Sequence, residues 1–244
     1  MSRPLVIAHR GASGDRPENT LGAYELAIAQ SADMIEIDLH LSRDGTIMIH
    51  HDASLRRLGG VGEIRDHTAS EMAALDAAPG STEIERIPTL EAVLDRFGDR
   101  VEFNLEIKVG THADYEGIEE RALAAVESRE LLSRMLFSSF YERVLTRLRS
   151  LSEAARLAVL VSPRAPHRIL ERAEAVGAGA INPEVRLVDA TLVDRAHAAG
   201  LAVYPYTEDD PAGMKRLLDA GVDGIITNHP ARLRAVLDAR ERAL

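Results

Sequence analysis

A chain of 244 residues with a formal net charge of −10 and no cysteine is restricted in its chemistry from the outset. Disulfides, thiolate metal centres and cysteine nucleophiles are excluded, and the negative charge argues against a nucleic-acid partner. No apolar run approaches the ~18 residues that cross a bilayer, and Met1-Ser2-Arg3 leads straight into a strand with no signal-peptide h-region. The expectation is a cytoplasmic protein without stable membrane insertion.

Leu5-Val6-Ile7-Ala8 reads as a short buried strand that ends on His9-Arg10-Gly11. Pro17-Glu18-Asn19-Thr20 follows, with Asn19 or Thr20 as N-cap of a helix to about Ala29, whose apolar face comes from Leu21, Leu26, Ile28 and alanines. The next stretch, residues 34–52, organises the chain: M-I-E-I-D-L-H-L-S-R-D-G-T-I-M-I-H-H-D. Glu36 and Asp38 are two apart on a strand and so share a face. Asp44-Gly45 between apolar runs predicts a hairpin. A two-residue turn would pair Leu41 with Met48 and Asp38 with His51. A three-residue Arg43-Asp44-Gly45 loop would shift the register by one and offer His50 instead.

Residues 53–87 carry a weak pattern. Gly59, Gly60 and Gly62 mark a loop, Thr68-Ala69-Ser70-Glu71 a capping box, and Pro79-Gly80-Ser81 a second loop. The segment is long for a connection and predicts no strand, so it reads as an inserted subregion of the lid or binding-loop kind.

Regular alternation takes over from Pro88-Thr89, which opens a helix with Leu90, Val93, Leu94 and Phe97 at helical spacing. Strand 101–108 puts Asn104, Glu106 and Lys108 on one face and Phe103, Leu105 and Ile107 on the other. Helix 115–128, strand 135–140, helix 142–151, strand 157–161, helix 164–176 and strand 178–182 follow. Asp189 caps a helix that Gly200 ends before strand 201–207. Asp210-Pro211 opens the next helix, Gly221 closes it, strand 224–227 follows, and a helix over 230–240 closes the chain. About eight strand–helix units call for a parallel sheet with right-handed crossovers. Length and unit count favour a closed (β/α)8 TIM barrel formed as one domain, 1–244, with 53–87 inserted after the hairpin. An open doubly wound sheet is less well supported, because no G-x-G-x-x-G follows the first strand.

In a parallel barrel the C-terminal strand ends meet at one mouth. His9-Arg10, Glu36 with Asp38, His51-Asp52, and Glu106 with Lys108 all fall at such ends. Any one of these acids would pass as a salt-bridged surface group. Three inward-facing ones, Glu36, Asp38 and Glu106, are costly to bury unless a hard cation joins them. His9 and His51 flank the cluster and titrate near neutrality, as proton donor and acceptor must. Arg10 and Lys108 add positive charge suited to phosphate oxygens. His40, His67, His112, His167 and His197 have no such setting and read as structural; His229 stands at the right end of the barrel with little else to support it. The set describes metal-assisted phosphoryl-transfer chemistry.

These residues resemble the glycerophosphodiester phosphodiesterase family in order and identity. The likeness runs through His9-Arg10-Gly11, Pro17-Glu18-Asn19-Thr20, Glu36-x-Asp38, Asp44-Gly45 and His51-Asp52. It continues through Ile87-Pro88-Thr89-Leu90, Asn104-Leu105-Glu106-Ile107-Lys108, Ser138-Ser139-Phe140 and Gly221-Val222-Asp223-Gly224-Ile225-Ile226-Thr227. The resemblance implies a TIM barrel with a family-type insertion and hydrolysis of glycerophosphodiesters to glycerol 3-phosphate and an alcohol, with Mg²⁺ or Ca²⁺ as cofactor. By position, it makes His9 and His51 the acid/base pair, which selects His51 over His50. Glu36, Asp38 and Glu106 become the metal ligands, and Arg10 and Lys108 the phosphate-holding cations. It further implies attack by the glycerol 2-hydroxyl and a cyclic phosphate that water then opens. Two places depart from the family pattern: Leu58-Gly59-Gly60 stands where Thr-Asn-Gly is usual, and Tyr206-Thr207-Glu208 where Trp-Thr-x-Asn is usual. Both bear on substrate preference more than on activity. The rivals are a phospholipase-type diesterase for lysophospholipids or phosphoinositides, which an apolar lid would signal, and a non-catalytic glycerophosphodiester-binding protein, which a lost histidine or carboxylate would signal.

Overall fold

The computed structural model describes residues 3–80 and 84–242; Met1 and Ser2 of the expected lead-in and Ser81 of the expected second loop lie outside them. The chain runs β1 (Leu5–His9), α1 (Leu21–Ala29), β2 (Met34–Leu41), β3 (Ile47–Ile49), α2 (Ala69–Ala73), α3 (Leu90–Phe97) and β4 (Glu102–Ile107). It continues α4 (Ile118–Glu127), β5 (Met135–Ser139), α5 (Glu142–Leu151), β6 (Arg156–Val161), α6 (Ile169–Ala175), β7 (Ala180–Pro183), α7 (Ala190–Ala198), β8 (Ala202–Val203), α8 (Pro211–Asp219), β9 (Gly224–Thr227) and α9 (Pro230–Glu241).

Eight strands pair in parallel in the order β8-β7-β6-β5-β4-β2-β1-β9, and β3 adds antiparallel to β2. The seam between β8 and β9 is bridged by main-chain bonds from Asp223 N to Val203 O (3.1 Å), Ile226 N to Pro205 O (2.9 Å) and Glu208 N to Ile226 O (3.1 Å). The architecture is a TIM barrel.

Period-two alternation divides each strand between two cores. Outward residues such as Val6, Ile35, Ile37, Leu39, Phe103, Leu105 and Ile107 pack under the helices. Inward, Ile7, Met34, Leu136, Ala158, Ala180, Tyr204 and Ile226 form a second apolar cluster. Two residues further along the same inward faces the character changes: His9 follows Ile7, Glu36 follows Met34 and Ser138 follows Leu136. The barrel is thus apolar inside towards the N-terminal strand ends and polar towards the C-terminal ones.

Most helices begin where their caps predict. Thr20, Thr89, Asp189 and Asp210 accept bonds from main-chain N–H groups of the first turn, and Thr68 with Glu71 forms the expected capping box. Differences have local causes. The face of α1 that is fully buried is Ala23, Tyr24 and Ala27, with Leu21, Leu26 and Ile28 at the margin. The helix expected over 164–176 begins only at Ile169, because Pro166 removes a donor and restricts the residue before it. Of the strand expected over 201–207 only Ala202–Val203 is regular, since Pro205 cannot donate to a ladder.

The hairpin takes the three-residue form. Leu41 pairs with Ile47, His40 with Met48 and Leu39 with Ile49, so the two-residue register is not adopted. Gly45 has φ +79°, its N–H donates to Ser42 O (3.0 Å), and the Ser42 hydroxyl lies 2.6 Å from Asp44 Oδ1 and 2.9 Å from Thr46 O. A two-residue type I′ turn would need Asp44 as well as Gly45 at positive φ; this turn needs only Gly45 there.

Within 53–87 the described residues hold two short 3-10 turns, Leu55–Leu58 and Ile64–Asp66, and α2. Leu55, Ile64, Met72 and Ile87 pack on Met48 of β3 as a small separate core. Among the described residues no helix is long and apolar enough to cross a membrane.

Candidate active site

The loop after β1 is shaped by its motif. Arg10 (φ +56°) and Gly11 (φ +84°) are both left-handed, and a Cβ on Gly11 would stand 2.8 Å from Ala23, so α1 approaches too closely for any side chain there. The turn sends the Arg10 guanidinium back over the barrel. Its Nε lies 3.1 Å from Asp38 Oδ2 and its Nη1 2.8 Å from Glu18 Oε2, while its main-chain N–H is 2.9 Å from Glu36 O.

Glu36, Asp38 and Glu106 are buried, each offering a carboxylate oxygen within 4.8 Å of the others. β2 and β4 lie side by side with Asp38 opposite Glu106, which brings the acids together. Lys108, two residues beyond Glu106, sets its Nζ 2.8 Å from Asp38 Oδ1 and 2.5 Å from Glu106 Oε1. Asn19 Nδ2 donates to Asp38 Oδ2 (2.8 Å), and the Tyr24 hydroxyl of α1 donates to Asn19 Oδ1 (3.1 Å).

The charge balance of this cluster is uneven. Burial raises the Asp38 carboxyl, but Lys108 and Arg10 outweigh it and hold the group well below the usual carboxylate range. Burial, with Asp38 and Glu106 beside it, pushes Glu36 far up; burial raises Glu106 too. Three acids share two cations, Arg10 and Lys108, and Glu36 Oε1 is buried without a hydrogen-bond partner. An all-oxygen donor set short of positive charge fits a hard divalent cation such as Mg²⁺ or Ca²⁺.

The two histidines are anchored alike. His9 Nδ1 lies 2.7 Å from Asn228 Oδ1, and Asn228 Nδ2 lies 2.7 Å from Asp209 Oδ2. A carboxylate only accepts, so the Asn228 amide must turn its NH₂ to Asp209 and its oxygen to His9; His9 Nδ1 therefore carries the hydrogen. The Ser13 hydroxyl, 2.8 Å from the same Asn228 oxygen and 2.7 Å from His9 O, braces the arrangement. His51 Nδ1 lies 2.6 Å from Asp52 Oδ1, and Arg57 holds the other Asp52 oxygen at 3.2 Å. In both rings Nε2 is left as the nitrogen that can exchange a proton. Burial, then the Arg10 charge, pushes His9 down to about 4, and burial lowers His51.

His9, Arg10, Glu36, His51, Glu106 and Lys108 line one cavity of ≈ 220 Å³ at the C-terminal mouth, completed by Phe140, Leu160, Tyr206, Thr207 and Ile226. Asp38 lies beneath, fully buried. The seven residues singled out from sequence are thereby brought together. Register alone did not select His51. β3 ends at Ile49 and the His50 N–H still bonds to Asp38 O (3.1 Å), yet His51 lines the cavity while the His50 side chain is buried beside Pro17, Glu18 and Arg57. A three-residue turn is compatible with His51 at the site because the chain leaves the strand before reaching it. His229 stays outside the cavity lining, as N-cap of α9.

Asn228, Asp209, Asn19, Glu18 and Asp52 were not singled out. Asn19 and Glu18 sit in a quoted motif, and Asp52 adjoins His51; Asn228 and Asp209 carry no local signal of their own.

Residues 9–232 match the model of the Glycerophosphoryl diester phosphodiesterase family. The chain is 34% identical over 252 aligned positions, covering 93% of it and 84% of the relative, to a glycerophosphodiester phosphodiesterase of Bacillus subtilis (strain 168). It is 35% identical to one of Caldanaerobacter subterraneus subsp. tengcongensis, over 95% of this chain and 96% of that one. Among solved structures it resembles a phosphodiesterase of Oleispira antarctica in complex with the product sn-glycerol-3-phosphate, with TM-score 0.82, 33% identity and coverage of 96% and 97%.

Proposed function

The chain belongs to the glycerophosphoryl diester phosphodiesterase family and is a phosphodiesterase, and we propose that it hydrolyses glycerophosphodiesters to sn-glycerol 3-phosphate and an alcohol in the cytoplasm, with residues 1–244 as one catalytic domain that includes the 53–87 subregion. The observation that carries this reading is the convergence at one cavity of two Nδ1-anchored histidines, two cations and the carboxylates of Glu36 and Glu106, with Asp38 of the same acid cluster buried beneath.

Glu36, Asp38 and Glu106 would hold a divalent cation, Mg²⁺ or Ca²⁺, which when bound would offset charge on the phosphoryl oxygens. Arg10 and Lys108 would hold the phosphate by charge. Beside a bound phosphodiester anion, which favours the charged imidazole, the histidine pair would carry one proton. The deprotonated Nε2 takes the proton of the glycerol 2-hydroxyl as its oxygen bonds to phosphorus. The bond from phosphorus to the leaving oxygen breaks, and the other histidine gives that oxygen its proton. Water then attacks the cyclic phosphate with the roles reversed, and cleavage of the bond to O2 leaves the phosphate on O3.

The test is release of sn-glycerol 3-phosphate from a panel of diesters with choline, ethanolamine, glycerol and inositol alcohols, with and without chelator. Release from at least one, lost on chelation and restored by Mg²⁺ or Ca²⁺, is the expected result; no release from any would overturn the reading. A second reading, action on lysophospholipids, draws on Val61 and Ile84, which are 85% and 69% exposed in the inserted segment. A lysophospholipid in the same panel, turned over faster than its deacylated counterpart, would favour it.

A further inference from the structure

His40 follows Glu36 and Asp38 on the inward-facing side of β2, one strand repeat beyond the acid cluster, and is 1% exposed. Its ring reaches across the hairpin: Nε2 lies 3.1 Å from the main-chain oxygen of His51. A carbonyl can only accept, so Nε2 carries the hydrogen. In the neutral ring Nδ1 is then an acceptor, and the Tyr115 hydroxyl, 2.8 Å away, must be the donor. The order of donation runs one way, from Tyr115 to His40 to His51. Tyr115 is itself clamped. Its ring meets the His40 ring edge-on at 5.4 Å, and the Arg65 guanidinium lies over it at 5.2 Å while bonding to Ala113 O (3.1 Å) and Asp114 O (3.2 Å). The need for such a hold follows from the chain path. Strand pairing between β2 and β3 runs to Ile49 and ends on the bond from His50 N–H to Asp38 O, so the strand itself does not fix the main chain at His51.

We propose that His40 is a positioning residue for His51, holding its main chain through the hydrogen-bond series that begins at Tyr115 and so setting where the His51 imidazole stands in the cavity. The proposal rests on reading His51 as an acid/base group. It also gives residues 53–87 a role, because Arg65 braces Tyr115 and Arg57 holds Asp52.

The test compares His40→Leu, His40→Gln and Tyr115→Phe with the unaltered enzyme, each also in a His51→Ala background, on sn-glycero-3-phosphocholine, with melting temperatures checked. His40→Leu should lower kcat by about 10–100-fold, the range for groups that orient a functional residue, with little change in KM. His40→Gln keeps an N–H at the Nε2 position and should recover most of kcat, and Tyr115→Phe should cost less than His40→Leu. With His51 already alanine, His40→Leu should cost nothing further. Equal loss in both backgrounds, or Gln as damaging as Leu, would overturn the proposal. If the unaltered enzyme cleaved no diester, the functional reading would fall, and imidazole NMR would decide this one separately. His51 ring signals should shift or broaden in His40→Leu and return in His40→Gln; signals unchanged in His40→Leu would sink it.

Discussion

Asn228 Oδ1 lies 2.7 Å from His9 Nδ1 across 219 positions of sequence, and Asp209 fixes which way that amide faces. The pair settles the His9 tautomer before any substrate arrives, which is what a proton-transfer group requires. Asn228→Ala should lower kcat by about 10–100-fold while KM moves little, as expected for a partner that orients a functional imidazole. Asn228→Asp should be no better, because it sets a second carboxylate against Asp209. Steady-state kinetics on one diester decide the matter; a rise in KM with kcat intact would make Asn228 a substrate contact instead.

The adjacent histidines of the hairpin should behave very differently. His51→Ala should reduce kcat by roughly 10²–10⁴-fold, the range for a positioned acid or base. His50 is 4% exposed and lies beside Pro17, Glu18 and Arg57, so His50→Ala should lower the melting temperature and leave kcat nearly unchanged. The double variant His9→Ala with His51→Ala should be little worse than either single one, as expected of two histidines proposed to act as one acid/base unit. A severe kinetic lesion at His50 and a mild one at His51 would contradict the assignment.

The unequal charge of the acid cluster makes the proposed metal dependence testable. Glu36→Gln removes one donor charge and should weaken divalent-cation binding measured by calorimetry, reduce turnover and leave the circular dichroism spectrum unchanged. Without cation, burial keeps Glu36 and Glu106 reluctant to ionise. Thermal stability should therefore rise when Mg²⁺ or Ca²⁺ is added to the unaltered protein, by mass action on the folded state. Full activity after exhaustive chelation would sink the three-carboxylate site.

Asp209 ties acid stability to the site. Burial works to raise its carboxyl, but the main-chain and side-chain N–H groups of Asn228 and the Thr227 hydroxyl prevail and lower it. A carboxyl held low in the folded protein contributes stability above its ordinary value, near ~4, and loses it as pH falls through the folded value. Asp209→Asn should therefore be less stable at neutral pH and show a flatter melting-temperature profile below about pH 4. Parallel profiles for the two proteins would show that Asp209 does not carry this part of the acid response.

The inward faces of β2 and β4 were legible in the sequence. A strand alternates with period two whatever surrounds it, so Glu36, Asp38, Glu106 and Lys108 could be set on common faces from spacing alone. Parallel alternation of strands and helices then implied that those faces meet at one mouth. The turn was less legible: Asp-Gly serves two- and three-residue loops equally, and the choice was made by Ser42, whose hydroxyl reaches Asp44 and Thr46. His51 reached the mouth through the chain's departure from β3, which no alternation rule describes. Asn228 meets His9 because β9 pairs with β1, Asp209 meets Asn228 across the seam between β8 and β9, and Tyr115 meets His40 because β4 lies beside β2; all are segments far apart in sequence. Local pattern determines which face a side chain takes; the partner that orients it is chosen by packing over the whole barrel, and that was decided by the tertiary structure alone.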